Sequence, residues 1–573
     1  MLLSNLDILA AAPGGVARLR ELILTLAVQG KLVPQNPADE PASVLLEKIR
    51  AEKERLMAEG KIKRGKPLAA ISEEEKPFEV PVGWEWVRLG EVVNSSEAGW
   101  SPTCIGSPRR EGHWGVLKVS AVSWGQFDAT ANKELPADLS PRPEYEVKDG
   151  DFLLSRANTE TLVARSVVVG KAEPRLMLSD KIIRLDVSSQ INRIFLNLCN
   201  NARHARSHYI ANASGTSSSM KNVSRDVVLK SPVPLPPRAE QSRIVTRVEE
   251  LMQLCDALEA KGRLEAAQHA RLVSTLLATL TDSANANPEA LAENWQRVRT
   301  HFDLLLDRPE AVDALEQTLL QLAVRGLLVP QDPQDEPASA LLARIRTEKD
   351  RLIAEGKIKR DKPLAAIAEE EKPFALSSGW EWVPIETLAH VGTGSTPARD
   401  NPAYFDGGKI PWATSGETGK FFIHKTAQHV TEIALSQTSL TVYPVGTLIV
   451  AMYGQGKTRG QVSELMIEAT TNQACAAIVL VEPSAEHRQY VKLVFEKSYK
   501  EMRELSAGGA QPNLNVGKIK LTLIPLPPIA EQSRIVARVA SLRRLCFELR
   551  QRLAASQSTQ VQLGEALVAS VVG

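Results

Sequence analysis

Residues 26–60 read LAVQGKLVPQNPADEPASVLLEKIRAEKERLMAEG, and residues 322–356 read LAVRGLLVPQDPQDEPASALLARIRTEKDRLIAEG. The two copies are 296 residues apart and both continue to the motif GWEWV. A second block, VPLPPRAEQSRIVTRV from Val233, returns 291 residues later as IPLPPIAEQSRIVARV from Ile524. Such repetition predicts that one structural frame is built twice along the chain.

Between the repeated blocks lie two segments that are far less alike. The frame is nearly identical in the two copies, whereas the inserts differ. This pattern favours one architecture that presents two different contact surfaces. The alternative is a duplication in which one half drifts neutrally. The predicted regions are an N-terminal helical region at 1–83, a first insert at 84–236, a central helical region with the second frame copy at 237–379, a second insert at 380–527 and a C-terminal helix at 528–573.

The frame is predicted to be helical. Residues 43–59 are rich in Leu, Glu, Lys and Arg and end at Gly60, which is typical of a helix and its stop signal. After each Pro-Pro pair, apolar residues recur every three or four positions, the period of a coiled-coil seam, over about three heptads. Two long helices packed against each other fit this short seam, and its cysteines fit as small apolar core residues. The seam residues are Ile244, Val248, Leu251, Cys255, Leu258, Ile535, Val539, Leu542, Cys546 and Leu549.

The inserts combine short β-branched runs with turns rich in Gly, Pro, Ser and Asn. Residues 86–89, 167–169 and 476–481 are predicted strands. The predicted fold class is therefore α+β, with two mixed α/β domains joined by long antiparallel coiled-coil helices and an internal pseudo-two-fold repeat.

Composition indicates a soluble, multidomain protein. The chain has 573 residues, 43% hydrophobic residues and a formal net charge of +1. It contains no apolar run long enough to span a membrane, and its first residues lack the basic start of a signal peptide. Five scattered cysteines without a CxxC pair argue against a zinc site or a disulfide framework, so a cytoplasmic location is predicted.

Motifs for catalysis are weak or absent. In AMYGQGKTRG, residues 451–460, the run Gly456-Lys457-Thr458 resembles a phosphate loop, so an ATPase is one alternative. However, Gly460 stands where the first helical turn should form, and no Asp follows a later strand to hold magnesium. Residues 401–404, NPAY, are interpreted as a turn rather than a methyltransferase motif. No metal ligand set and no HExxH or GxSxG motif occurs, so the chain is predicted to be non-catalytic, with no cofactor or metal of its own.

Polar loop residues suggest contacts with DNA instead. Residues 152–236 carry twelve lysines and arginines against five aspartates and glutamates, a local basic excess. Amide, hydroxyl and basic side chains are the types that read bases or hold phosphates. In the first insert the candidates are Lys118, Ser120, Arg156, Asn158, Thr159, Arg165, Lys181, Ser218, Lys221 and Asn222. In the second insert they are Trp412, Thr414, Ser415, Tyr453, Gln455, Lys457, Thr458, Arg459, Gln473, Gln511, Asn513 and Asn515.

These motifs together resemble the specificity subunits of type I restriction–modification systems. The resemblance is carried by the two repeated blocks, including EGKIKR, EEEKPF and GWEWV in both copies. GQGKTRG, the run Thr471-Asn472-Gln473 and residues 511–515 look like motifs of the family's target-recognition domains. Two-fold repetition with divergent inserts is also that family's architecture.

The resemblance implies a DNA-recognition subunit that performs no chemistry. Each insert would be a target-recognition domain for one half of a split, asymmetric site, with the long helices as spacer. Two methyltransferase subunits would dock on the frame and methylate adenine N6 with S-adenosylmethionine. Two motor-nuclease subunits would add translocation and cleavage with ATP and magnesium. A coiled-coil scaffold without DNA contact is the remaining alternative.

Overall fold

The computed structural model describes residues 12–65, 67–215, 220–281, 288–360, 364–454, 458–499, 501–502 and 514–572. The chain forms two compact units, one made of Met1–Leu264 with Gln557–Gly573 and the other of Glu265–Ser556. Each unit contains one copy of the repeated frame and one insert. Among the described residues, no helix is both long enough and apolar enough to cross a membrane.

The first unit combines helices from the frame with a mixed domain from the insert. Its helices are α1 (Gly15–Val28), α2 (Ala42–Ala58), α3 (Leu89–Val92), α4 (Arg193–Asn201), α5 (Arg203–Asn212), α6 (Arg225–Leu229) and the start of α7 (Arg238–Thr279). Its strands are β1 (Glu85–Arg88), β2 (Val93–Ala98), β3 (Gly115–Leu117), β4 (Asn132–Glu134), β5 (Phe152–Ser155), β6 (Ala157–Asn158), β7 (Ser166–Val168), β8 (Leu176–Met177), β9 (Ile182–Val187), β10 (Lys221–Asn222) and β11 (Pro232–Leu235). They form a four-stranded sheet β2-β9-β5-β7, a three-stranded sheet β4-β3-β8 and the pairs β1-β11 and β6-β10.

The second unit repeats this plan. Its helices are the end of α7, α8 (Pro288–Thr300), α9 (Phe302–Leu305), α10 (Pro309–Val324), α11 (Ala338–Ala354), α12 (Ile385–Leu388), α13 (Glu432–Gln437), α14 (Ala485–Lys497), α15 (Val516–Lys520) and the first part of α16 (Ile529–Val572), whose last residues belong to the first unit. Its strands are β12 (Glu381–Pro384), β13 (Ala389–Thr393), β14 (Ile410–Ala413), β15 (Phe422–Ile423), β16 (Gln428–Val430), β17 (Leu448–Ala451), β18 (Val462–Leu465), β19 (Thr470–Thr471), β20 (Cys475–Leu480) and β21 (Leu523–Leu526). They form a five-stranded sheet β13-β20-β17-β18-β15, a three-stranded sheet β16-β14-β19 and the pair β12-β21.

The predicted fold class, two mixed α/β domains with long helices and a repeated frame, is confirmed. Helices α2 and α11 end just before Gly60 and Gly356, which both have φ of 70°. This left-handed backbone favours glycine and stops a helix, as the sequence predicts. Helix α7 runs for 42 residues without interruption at Gly262, about 63 Å at 1.5 Å per residue.

The seam residues of the long helices lie in the cores of the units. In the first unit Ile244, Val248, Leu251 and Cys255 pack in one cluster with α1, α2 and the mixed domain, with Leu258 half-buried beside it. In the second unit Ile535 and Val539 join the domain core, and Cys546 joins a helical cluster with Leu542 and Leu549 packed against it. Burial raises the pKa of both seam thiols, which fits apolar core cysteines.

Each long helix is held to its own domain by a hydrogen bond from a buried tryptophan. Trp84 Nε1 donates to Glu240 Oε2 at 3.0 Å, and Gln35 Nε2 donates to Glu240 Oε1 at 2.7 Å. At the matching place Trp380 Nε1 donates to Glu531 Oε2 at 2.9 Å. Burial raises the pKa of both carboxyls, because removing a carboxylate from water disfavours its charged form.

We expect Trp380→Phe to lower the free energy of unfolding by about 1–3 kcal/mol at neutral pH. The substitution removes the hydrogen bond that Glu531 receives from the described residues, while that carboxyl is 2% exposed. The pKa of Glu531 is raised in the folded chain, so its carboxyl is protonated at lower pH. A protonated carboxyl is neutral and loses less than a carboxylate when the donor from Trp380 is removed. The loss should therefore be smaller at about pH 5 than at about pH 7 in urea denaturation followed by circular dichroism.

Trp84→Phe is the matched control for this measurement. Glu240 keeps the hydrogen bond from Gln35 at 2.7 Å, so its loss of stability should be smaller. Equal losses in the two variants, or a Trp380→Phe loss that does not depend on pH, would contradict this account of Glu531.

Candidate functional site

The end of the four-stranded sheet in the first unit brings together polar residues that are distant in sequence. Arg156 N donates to Lys181 O at 2.7 Å, and Val223 N donates to Arg156 O at 3.0 Å. Strand β6 pairs with β10, so that Asn158 lies opposite Lys221. Three chain segments from the first insert therefore meet at this end of the sheet.

The side chain of Asn158 joins a fourth segment to this place. Its Nδ2 donates to Ser123 Oγ at 2.8 Å, and Ser123 closes the 3₁₀ helix Val119–Val122. We call this surface the first polar edge. Its members are the predicted residues Lys118, Ser120, Arg156, Asn158, Thr159, Lys181, Lys221 and Asn222. Arg156 and Lys181 are exposed, and Lys221 Nζ is tied to Gly215 O at 3.0 Å.

Part of the basic excess of the first insert is structural. Arg184 Nε donates to Glu97 at 2.6 Å, and its Nη1 donates to Asp151 at 3.0 Å. Arg193 Nη1 donates to Gly150 O at 2.8 Å, at the other end of the sheet from Arg156. The charge count in the sequence therefore overstates the number of cations that a ligand can reach.

A second polar edge lies at the corresponding place in the second unit. Asn472 N donates to Ala413 O at 3.1 Å, and Met452 N donates to Ala474 O at 2.8 Å. These bonds join the ends of β14, β17 and β19, where six predicted residues supply polar groups. The members that the structure describes are Thr414, Ser415, Tyr453, Thr458, Arg459 and Gln473, with Gln473 and Tyr453 exposed.

The prediction for Trp412 is wrong. Its side chain is 0% exposed, packs in a hydrophobic cluster with Val430 and Leu440, and donates from Nε1 to Ser395 O at 3.2 Å. Its position at a strand end suggested a surface contact. However, the Trp412 side chain lies on the face of β14 that packs into the core.

Asn515 has a local structural role that the sequence did not reveal. Its Oδ1 accepts a hydrogen bond from Lys518 N at 2.8 Å and caps α15. Ser224 caps α6 in the first unit in the same way, with Oγ 3.2 Å from Val227 N. The cap accounts for a polar residue at this place in both inserts. Five other candidates lie outside the described residues, and these are Ser218, Gln455, Lys457, Gln511 and Asn513.

The chain after Thr458 does not have the form of a phosphate loop. Gly460 has φ of 83°, and strand β18 begins at Val462, where a phosphate loop requires a helix. Residues 402–404 form a 3₁₀ turn capped by the side chain of Asn401, as interpreted from the sequence. Among the described residues, no group of three or more His, Cys, Asp and Glu is arranged to hold a metal ion.

Two residues near the first polar edge were not among the candidates chosen from the sequence. Trp124 is 72% exposed and follows Ser123 directly, while the other eight tryptophans, which all lie in described segments, are buried or half-buried. Arg206 in α5 is 8% exposed and lies behind the loop between β6 and β7. The burial of a basic side chain has no signature in sequence, since basic residues usually lie at the surface.

The fold and the two edges define a recognition protein in which one repeated frame presents two different polar surfaces. A family model, the type I restriction modification DNA specificity domain, matches residues 377–556. The specificity subunit of the Escherichia coli type I restriction enzyme EcoEI is 36% identical over 570 residues, covering 96% of this chain and 93% of that protein. The EcoAI specificity subunit, also from Escherichia coli, is 34% identical over 585 residues, covering 97% and 94%.

The chain belongs to the family of type I restriction enzyme specificity subunits, which are non-catalytic. Among solved structures, the HsdS subunit from Thermoanaerobacter tengcongensis aligns with 87% of this chain and 98% of its own, at 17% identity and a TM-score of 0.38.

We expect Trp412→Ala to lower the free energy of unfolding by about 3–5 kcal/mol, because it opens a cavity in the core of the second unit. Thermal unfolding of the purified chain measures this loss. Gln473→Ala, at an exposed position of the same edge, is the control and should change stability by less than about 0.5 kcal/mol. If Trp412→Ala were as stable as this control, the core position of the ring would be refuted.

Proposed function

We propose that this chain is the DNA sequence-recognition subunit of a type I restriction–modification complex. The observation that carries the proposal is the pair of polar edges, which occupy matching places on a repeated frame but carry different residues. A repeated frame can place two modules on one DNA duplex, and different edges can read different sequences. Family membership supports the same function.

Each edge would read one half of a bipartite, asymmetric site. Amide and hydroxyl groups such as those of Asn158, Thr414 and Gln473 can form hydrogen bonds with base edges in the major groove. Arg156 and Lys181 can contact phosphates, which fixes the position of the domain without reading sequence. Half-sites about one helical turn apart, roughly 34–36 Å, would suit two modules on one face of the duplex.

The repeated frame would receive the catalytic partners. Two copies of the frame match a pair of identical methyltransferase subunits, because pseudo-two-fold symmetry in one chain can bind two equal partners. These partners would bind S-adenosylmethionine and flip the target adenine into their own pocket for N6 methylation. Motor-nuclease subunits would bind ATP and magnesium for restriction. The chain itself would bind no cofactor and would work in the cytoplasm.

Exchange of the first insert tests whether each insert reads its own half of the DNA site. Replacing residues 84–236 with the insert of another specificity subunit should change one half of the methylated sequence and leave the other half unchanged. The measurement is mapping of N6-methyladenine in cells that express the complete system. A change in both halves, or in neither, would contradict two independent recognition domains.

We expect Arg156→Ala to weaken DNA binding by the assembled complex uniformly across sequences and to lower the salt slope by about 1. The physical reason is loss of one phosphate contact and of the counterions that it releases. The measurement is a binding series at several salt concentrations. Lys171→Ala is the control, since Lys171 is exposed and lies beyond β7 at the opposite end of the sheet from Arg156.

The same series separates the alternatives. A scaffold without DNA contact would show no sequence-specific binding and no effect of Arg156→Ala. An ATPase that used Gly456-Lys457-Thr458 would bind nucleotide as the purified chain. Equilibrium binding with a fluorescent ATP analogue should detect none, and binding that Lys457→Ala abolishes would favour the ATPase.

A further inference from the structure

Two arginines converge on one carbonyl oxygen beside the first polar edge. Arg165 Nε donates to Thr161 O at 3.5 Å, and Arg206 Nη2 donates to the same oxygen at 3.3 Å. Thr161 belongs to the loop that leaves the edge after Asn158 and Thr159 and enters β7. Arg165 was a candidate from sequence alone, whereas Arg206 comes from α5, about forty residues later.

No negative charge balances this pair among the described residues. Arg206 is 8% exposed, its Nη1 is buried without a hydrogen bond, and the ring of Tyr209 lies 5.8 Å from its guanidinium. Burial, together with the positive charge of Arg165, lowers the pKa of Arg206 to about 10. Burial also lowers the pKa of Arg165. A negative charge close to either guanidinium would have the opposite effect on its pKa.

Two other arginines of the same unit that are largely removed from water, the buried Arg88 and the half-buried Arg184, have carboxylate partners. Arg88, which is 6% exposed, donates from Nη2 to Glu75 at 2.7 Å. Arg184 binds Asp151 and Glu97. A buried cation without an opposite charge beside it is unfavourable for folding, so it marks a candidate place where a ligand supplies the missing charge.

The loop that carries Arg165 is held in a fixed conformation. Ala164 has φ of 57°, a left-handed backbone that is strained for alanine. Asn200 Nδ2 donates to Ala164 O at 3.0 Å, and Ser155 Oγ donates to Leu162 O at 2.7 Å. These bonds orient the backbone that follows Thr161, so the two guanidiniums meet at a preorganised position.

We propose that Arg165 and Arg206 form an anion site that binds a backbone phosphate of DNA beside the first polar edge. The half-exposed Arg165 contacts the phosphate oxygens, for which a guanidinium is well shaped. Arg206 is a positioning residue that does not touch the phosphate. Its hydrogen bond to Thr161 O holds the loop that carries Arg165, and its positive charge adds to the attraction of the site for an anion. The inference rests on the proposed DNA-recognition function and adds a contact to it.

Arg206→Met tests the role of the buried charge, because the methionine keeps an apolar stem and removes the cation. In the complex assembled with its methyltransferase partners, we expect DNA binding to weaken about three- to tenfold, with a smaller salt slope. The melting temperature of the purified chain should equal or exceed that of wild type, because an uncompensated buried charge is removed.

Arg184→Met is the matched control, because only 13% of the Arg184 side chain is exposed but it has carboxylate partners. It should lower the melting temperature. Arg165→Ala should lower affinity and the salt slope by about 1, and Arg165→Lys should restore most of the slope. A melting temperature of Arg206→Met that falls as far as that of Arg184→Met would assign Arg206 a structural role and overturn the proposal.

Three further outcomes would refute the assignment. If wild type binds its site and both Arg165→Ala and Arg206→Met bind equally well, the anion site is wrong while the recognition function holds. If wild type shows no sequence-specific binding, the recognition function itself fails. Inorganic phosphate could raise the melting temperature of wild type while Arg165→Ala leaves DNA affinity unchanged. That result would show a site for free phosphate and not for DNA.

Discussion

Each recognition domain begins and ends at the same place, because the strand that opens the insert pairs with the strand that closes it. Glu85 lies opposite Leu235 and Arg88 opposite Pro232 in the β1-β11 ladder. The β12-β21 ladder repeats this register in the second unit. The rest of each domain lies between these paired ends, so its loops can change without moving the chain termini that enter the frame.

The buried tryptophans extend this constraint to the long helices. Trp84 and Trp380 precede the opening strands and donate to Glu240 and Glu531 at the starts of α7 and α16. Opening strand, closing strand and long helix are therefore fixed together in each unit. This explains physically how the frame can stay nearly identical while the inserts diverge.

The two polar edges are built from strand ends and turns, where polar side chains can face a ligand. Sequence reasoning selected candidates at strand ends and turns, since these are visible as local patterns, and their contact with DNA stays a prediction. It failed for Trp412, because the face of a strand depends on which sheet covers it. It also failed for Arg206, because the approach of α5 to the loop at Thr161 is a contact between segments far apart in sequence.

The sequence by itself determined the repeated frame, the helix stops at Gly60 and Gly356, the long helices after the Pro-Pro pairs and the absence of a phosphate-loop helix after Thr458. These features follow from local backbone preference, apolar period and direct repetition. Only the tertiary structure decided which polar residues share an edge and which cations already have partners. Those properties depend on long-range packing and on burial, which sets the strength of every charge, and neither is a local property of the chain.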